Sequence, residues 1–377
     1  MSQQRVLMIS VSAGSGHVRA AEALLETSAQ FDQVTAQHID VMKTVSRSFR
    51  GMYSDFYRHL INHAPALWAY LYRKTDHAQS TDLSTILRRF IEQTCTRNLI
   101  RQIVEFKPDH IICTHFLPAD LLSREIRKAR LNCGLWVQIT DFDLHKLWVQ
   151  SRVSGYFAAN QEVAFKLREH GVPSNKIHVT GIAVAPAFLS EPSRHQTRAE
   201  LRLDQDRVTA LILSGGTGVG SVSEIAAHLL NNNLQLQVIG IAGNDVQRQA
   251  ELQQLATQFP GRLVALGFSK CIEKLMAASD VVISKPGGLT SSECLIMGVP
   301  MLLVDPIPGQ EERNGDYLME RGAALKAHDI VSLDYKLRQL LAEPGRLAVM
   351  RENMLRHATP DAAKQILTTV LTHTPDR

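Results

Sequence analysis

The chain lacks paired cysteines, long apolar runs and a strong charge of either sign, and each absence excludes a class of protein. Five cysteines, Cys95, Cys113, Cys133, Cys271 and Cys294, are scattered through 377 residues without a CxxC pair. That pattern gives neither a disulfide framework nor a zinc site, and it fits reduced thiols in a cytosolic protein, some of them small core residues. No stretch approaches the roughly 18 apolar residues that span a bilayer, and the N-terminus offers only the short apolar run Val6 to Val11, too little for a signal peptide. Membrane contact, where it occurs, is expected to be peripheral. A net charge of +4 and a pI of 8.8 are too mild for a nucleic-acid protein but suit contact with anionic lipid. Internal repeats and low-complexity tracts are absent too.

What is present is apolar sequence in short alternating blocks. A hydrophobic content of 45% in a chain of this length is enough for two cores. Strand-length runs fall at Val6 to Val11, Val34 to Asp40, His110 to Thr114, Leu135 to Thr140, Gly155 to Ala158 and Ile177 to Thr180. A second series runs Val208 to Ser214, Leu236 to Ile241, Leu263 to Leu266, Val281 to Ser284 and Met301 to Val304, with Ala324 to Ala327 a further candidate. Helical patterns lie between them, which predicts parallel sheets covered on both faces. Residues 183–206, with Pro186, Pro192 and many charges, read as a linker whose end is the first helix of the second half. The expected division is 1–182, linker 183–206, 207–345, and C-terminal helices over 346–377.

The densest stretch is Lys285 to Asn314, KPGGLTSSECLIMGVPMLLVDPIPGQEERN. After the strand Val281 to Ser284, Pro286-Gly287-Gly288 makes a turn where missing side chains let backbone N–H groups approach a ligand. Thr290 is expected to open a helix whose freed amides and positive dipole end favour a diphosphate. Glu293, three residues on, shares its face and suits two vicinal ribose hydroxyls, although the same Thr-Glu spacing also fits a capping box. A second strand then runs into the loop Pro308-Gly309-Gln310-Glu311, whose last two side chains suit sugar hydroxyls. Earlier, Ser214 to Gly220 (SGGTGVG) also follows a strand and precedes a helix, expected from Glu224 to Leu230. It is neither a clean dinucleotide fingerprint nor a P-loop, and reads as a tight turn or a phosphate contact.

Taken in order, the Gly-Gly turn, the helix-borne Glu, the Gly-Val-Pro strand entry and the PGQEE loop resemble the donor half of GT-B glycosyltransferases, most nearly the processive diacylglycerol glucosyltransferases and monogalactosyldiacylglycerol synthases. The loop Ser12 to His17, the segments Thr140-Asp141-Phe142, Leu144-His145-Lys146 and Trp148-Val149, and Gly181-Ile182 continue the resemblance through the first half. It implies an α/β GT-B fold of two Rossmann-like domains whose parallel sheets face an interdomain cleft, with the last helix crossing back to the first domain. It also implies an inverting transferase that moves glucose or galactose from a UDP-hexose to diacylglycerol without metal or other cofactor, and leaves open whether further sugars are added processively.

Residues carried over with the resemblance are His17 as general base, with Asp141 orienting it or serving in its place. The donor contacts are Gly16, Gly216, Thr217, Phe268 (through its backbone), Gly287, Gly288, Leu289, Thr290, Glu293, Pro308, Gly309, Gln310, Glu311 and Asn314. His115 and His145 are further candidates, for the acceptor, the sugar or structure. Lys43 to Phe90 interleaves Phe49, Tyr53, Phe56, Tyr57, Trp68, Tyr70 and Tyr72 with Lys43, Arg47, Arg50, Arg58, Arg73 and Lys74. This fits an interface to anionic lipid on the inner face of the cell membrane, and equally an aromatic core stripe with a solvated basic face. Alternatives of other kinds are a transferase to the peptidoglycan lipid intermediate, a UDP-N-acetylglucosamine epimerase and a non-catalytic UDP-sugar sensor. Donor sugar and oligomeric state are left open by the sequence.

Overall fold

The computed structural model describes residues 3–12, 14–45, 98–190, 192–213, 220–343 and 345–373. They form two compact units: residues 1–186 with 308–310 and 359–377, and residues 187–307 with 311–358.

The first unit holds a parallel sheet of β1 (Gln4–Ser10), β2 (Val34–Asp40), β3 (His110–Cys113), β4 (Gly134–Gln138), β5 (Gly155–Ala158) and β6 (Ile177–Val179), in the order β2-β1-β3-β4-β5-β6. Its inner strands are buried and largely apolar because both faces are covered, while the edge strands β2 and β6 are partly exposed. Leu7, Ile9, Ile111, Val137 and Tyr156 pack on one side. Val6, Met8, Ile112, Trp136 and Phe157 pack on the other, against helix α1 (Ser15–Ser28) and the C-terminal helix. Helix α2 (Phe116–Arg127) follows β3.

The second unit has its own parallel sheet of β7 (Val208–Leu213), β8 (Leu236–Ile241), β9 (Leu263–Leu266), β10 (Val281–Ser284), β11 (Met301–Leu303) and β12 (Ala324–Lys326), in the order β12-β11-β10-β7-β8-β9. Helix α3 (Arg194–Glu200) precedes it, so the expected linker already contains the unit's first helix. Helices α4 (Val222–Asn232), α5 (Gly288–Met297), α6 (Gln310–Glu320, from Glu311 on) and α7 (Arg346–Arg356) belong to this unit. Of the C-terminal helices, α7 stays here, with Leu355 and Arg351 over Gly298 at the end of α5. Only the last, α8 (Ala362–Thr372), returns to the first unit, where Ala363, Ile366, Leu367 and Val370 join the α1 face of the sheet.

All twelve strands of the described residues lie where the apolar runs put them. Three helix starts differ from the sequence reading. Helix α1 begins at Ser15, so Gly16 and His17 sit in its first turn and not in the preceding loop. Helix α5 begins at Gly288 with Gly287 as its N-cap, so Thr290 is inside the first turn and no Thr290–Glu293 capping box forms. Gln310 and Glu311 open α6 where a loop was expected. In each case glycine precedes the helix, and glycine accepts the extended or left-handed backbone of a helix entry without a side-chain cap.

Each sheet has one place where strand order reverses direction, between β1 and β3 in the first and between β7 and β10 in the second. Loops leaving neighbouring strands diverge there, which opens a crevice at the carboxyl ends of the strands. His17 and Thr114 follow β1 and β3; Pro286, Gly287 and Gly288 follow β10.

Candidate functional site

In the first unit the chain beyond β1 is held by Asp40, whose Oδ1 accepts from the N–H groups of Ser12 at 3.0 Å and Met42 at 3.1 Å. This fixes the entry to α1 and with it His17. His17 Nδ1 lies 2.9 Å from the carbonyl oxygen of Thr114 and 2.8 Å from Thr140 Oγ1. Thr114 Oγ1 in turn donates to the His17 carbonyl at 2.8 Å. A carbonyl only accepts, so Nδ1 carries the proton and the neutral ring keeps its lone pair on Nε2.

The surroundings push the ring the same way. Burial lowers the His17 pKa below the ordinary value of 6.5, against the opposing pull of the Asp141 carboxylate and the Thr114 carbonyl. His115, 4% exposed, is held well below that value by burial and by His17. The two rings meet edge to face, with centroids 4.6 Å apart and planes at 87°. His145 is N-cap to the 3-10 turn Lys146–Trp148, accepting from Leu147 N–H at 3.1 Å. Its role visible here is structural, one of the options open from the sequence. Gln310, counted with the first unit, donates from Nε2 to Asp141 Oδ1 at 2.6 Å.

In the second unit α5 starts on Gly287 with no side-chain cap. The N–H groups of Gly288, Leu289 and Thr290 belong to the first turn, which has no intrahelical acceptors, and the dipole end adds partial positive charge. Glu293 lies further along the helix, 1% exposed, so it sits beneath the surface of the unit. Glu311 faces back across the turn: its Oε2 accepts from Ile307 N–H at 2.7 Å, and its Oε1 is 3.9 Å from the place a side chain on Gly287 would begin. The Pro306 to Gly309 loop is shaped by left-handed backbone at Asp305 and Gly309, with φ of 45° and 91°. Asn314 is fully buried on α6. Phe268 lies two residues beyond β9 and is 64% exposed. Gly216 and Thr217 lie outside the described residues, as does the basic-aromatic segment from residue 46 to 97.

Residues 17–184 match the family model for monogalactosyldiacylglycerol synthase, and residues 209–366 match that for the glycosyltransferase family 28 C-terminal domain. Between them the two models take in both units. The chain carries a monogalactosyldiacylglycerol synthase domain followed by a glycosyltransferase family 28 C-terminal domain. Among curated relatives, the processive diacylglycerol beta-glucosyltransferase of Bacillus subtilis is 27% identical to this enzyme over 98% of its chain and 95% of the relative's. The protein of that name from Staphylococcus saprophyticus is 25% identical over 93% and 88%. Among solved structures, the fold resembles UDP-GlcNAc 2-epimerase from Neisseria meningitidis, with a TM-score of 0.65 at 16% identity, covering 98% of this chain and 100% of that one. It equally resembles MurG of Acinetobacter baumannii, with a TM-score of 0.63 at 16% identity over 98% and 100%. These likenesses establish the GT-B fold of the enzyme.

Sequence reasoning missed two threonines, Thr114 and Thr140, that hold His17. Neither has a local signal beyond ending a strand, and they lie 97 and 123 residues away in sequence. Thr140 does stand next to Asp141 in a segment the family resemblance had singled out.

Proposed function

We propose that the enzyme transfers a hexose, glucose or galactose, from a UDP-sugar to the free hydroxyl of diacylglycerol, with inversion, and that His17 is the base. The observation that carries this reading is the Thr114 carbonyl on Nδ1, which leaves His17 with an unprotonated Nε2 at the switch point of its sheet. The acceptor hydroxyl, with a pKa near 15, is a poor nucleophile until a base takes its proton as the new bond forms, an effect of about 10²–10⁴ in rate. The new C–O bond forms at the anomeric carbon as the bond to UDP breaks. The proton passes to Nε2, and the resulting imidazolium is stabilised by Asp141. Charge gathering on the departing diphosphate is met by the first-turn amides of α5 and its dipole, so no metal is required of this design. Buried Glu293 is suited to the ribose hydroxyls, and Gln310 and Glu311 to the sugar.

Binding to the anionic inner membrane face through Lys43 to Phe90, and addition of more than one sugar, are part of the proposal and rest on the relatives' names and the basic-aromatic sequence. No helix of the described residues is long and apolar enough to cross a membrane. The test uses the purified enzyme with UDP-glucose, UDP-galactose and diacylglycerol liposomes, with products identified by mass spectrometry. Glycosyldiacylglycerol and UDP are expected. An altered sugar nucleotide from donor alone would replace transfer by epimerisation. His17→Ala should cost about 10²–10⁴ in kcat with UDP affinity kept; near-normal turnover would remove the base assignment.

A further inference from the structure

Two other histidines of the first unit, His115 and His145, stand in the repeated pattern His-x-Leu and play the same local part. Each uses Nδ1 to accept the N–H of the leucine two residues on, at 3.1 Å in both cases, and so caps the element that follows. The elements they cap deliver Phe116, the first residue of α2, and Trp148, the last of the 3-10 turn. Those two rings and His115 form one cluster with His17. His115 stacks on Phe116 at 4.2 Å, Phe116 meets Trp148 at 6.0 Å, and Trp148 lies 6.3 Å from both His17 and His115.

We propose that His115 is a positioning residue for His17: packed edge-on against it and anchored as the cap of α2, it keeps water off the His17 ring and so holds that ring neutral and ready to accept a proton. The proposal rests on the reading of His17 as the base. His115 is itself unsuited to that role. Its Nδ1 lone pair is taken by the Leu117 N–H, and in the neutral ring its other nitrogen carries a proton. The groups that face His17 are the Thr114 carbonyl beyond β3, Thr140 and Asp141 beyond β4, His115 at the start of α2, and Trp148. Among them Asp141 and the Thr114 carbonyl favour the imidazolium. The enclosing rings oppose it by excluding solvent, and burial is the larger influence on His17.

Two substitutions in the full-length enzyme separate ring from cap. His115→Asn keeps a good N-cap and removes the ring; His115→Phe keeps the ring and removes the cap. The readouts are the titration midpoint of His17, followed by NMR on histidine-labelled protein with His17→Gln giving the assignment, and kcat/KM against pH. In His115→Asn the midpoint should rise by about half a pH unit or more, toward the ordinary histidine value. The acid limb of kcat/KM should follow, so activity on that limb falls by about threefold more than on the alkaline plateau. In His115→Phe the midpoint should stay near that of the wild type. An unmoved midpoint in His115→Asn, or an equal movement in both variants, overturns the proposal. A midpoint that moves in His115→Asn alone, with a rate profile that does not follow, supports the packing relation and defeats the base assignment instead.

Discussion

Replacing Gly181 with alanine tests how the C-terminal helix is locked to the first unit. Gly181 follows β6, donates its N–H to the Ala158 carbonyl at 3.1 Å and has a φ of +87°. A Cβ there would lie 2.0 Å from Thr359 Oγ1 and 2.4 Å from Thr359 Cβ. Thr359 begins the stretch that returns to the first unit just before α8. Two costs follow: about 1–2 kcal/mol for an L-residue in left-handed backbone, and about 1–3 kcal/mol for overpacking against Thr359. Against them stands the docking of α8, where Ile366, Leu367 and Val370 are fully buried, contributing about 1.5–3 kcal/mol each. Docking outweighs strain, so G181A should fold with α8 in place and lose about 2–5 kcal/mol. Urea unfolding followed by tryptophan fluorescence is a suitable assay, since Trp136 touches His373 just beyond α8 at 5.0 Å. In a Thr359→Gly background the same substitution should cost only about 1–2 kcal/mol, the backbone share. A loss below about 1 kcal/mol in the first background, or an equal loss in both, would refute the reasoning.

Arg198 is fully buried, donating to Ala278, Gln205 and Arg207 carbonyls and to Asp280 Oδ2 at 2.6–3.0 Å. Arg198→Ala should destabilise the second unit by about 3 kcal/mol in urea unfolding, the lower end of the range because Arg194 still pairs Asp280 at 2.6 Å; a loss under about 1 kcal/mol would contradict this. Thr140→Val removes one of the two contacts to His17 Nδ1 and keeps the Thr114 carbonyl, so steady-state kinetics should show kcat reduced about 3–10-fold with KM for donor little changed. Burial lowers the pKa of His17, His38, His110, His115 and His178 below 6.5 in the folded chain. The unfolded chain therefore binds more protons below about pH 6.5, and stability should be flat above about pH 7 and fall as pH drops below 6.5. Thermal midpoints measured from pH 8 to 5 check the sign, and a midpoint that rises toward acid would be incompatible with it.

Much of the candidate site was legible because short-range chemistry marks it. Gly287-Gly288 after an apolar strand is a place where backbone can meet a ligand, and the helix there starts on those glycines. The same glycines hid the helix starts: with no side chain to cap, nothing local shows that His17, Thr290 and Gln310 are already helical. The fate of α7 was hidden for a different reason, and that of α8 came only with the family resemblance. Both are amphipathic, and a helix's apolar face does not name the surface that will cover it.

The sequence by itself determined the two parallel sheets, since strands buried on both faces must be apolar along their whole length, and it marked the glycine turn and helix start after β10. Only the tertiary structure decided the state of His17. A histidine's tautomer and charge depend on which oxygens and rings enclose it, and here the Thr114 carbonyl, the Thr140 hydroxyl, His115 and Trp148 reach it from strands and turns far away in the chain.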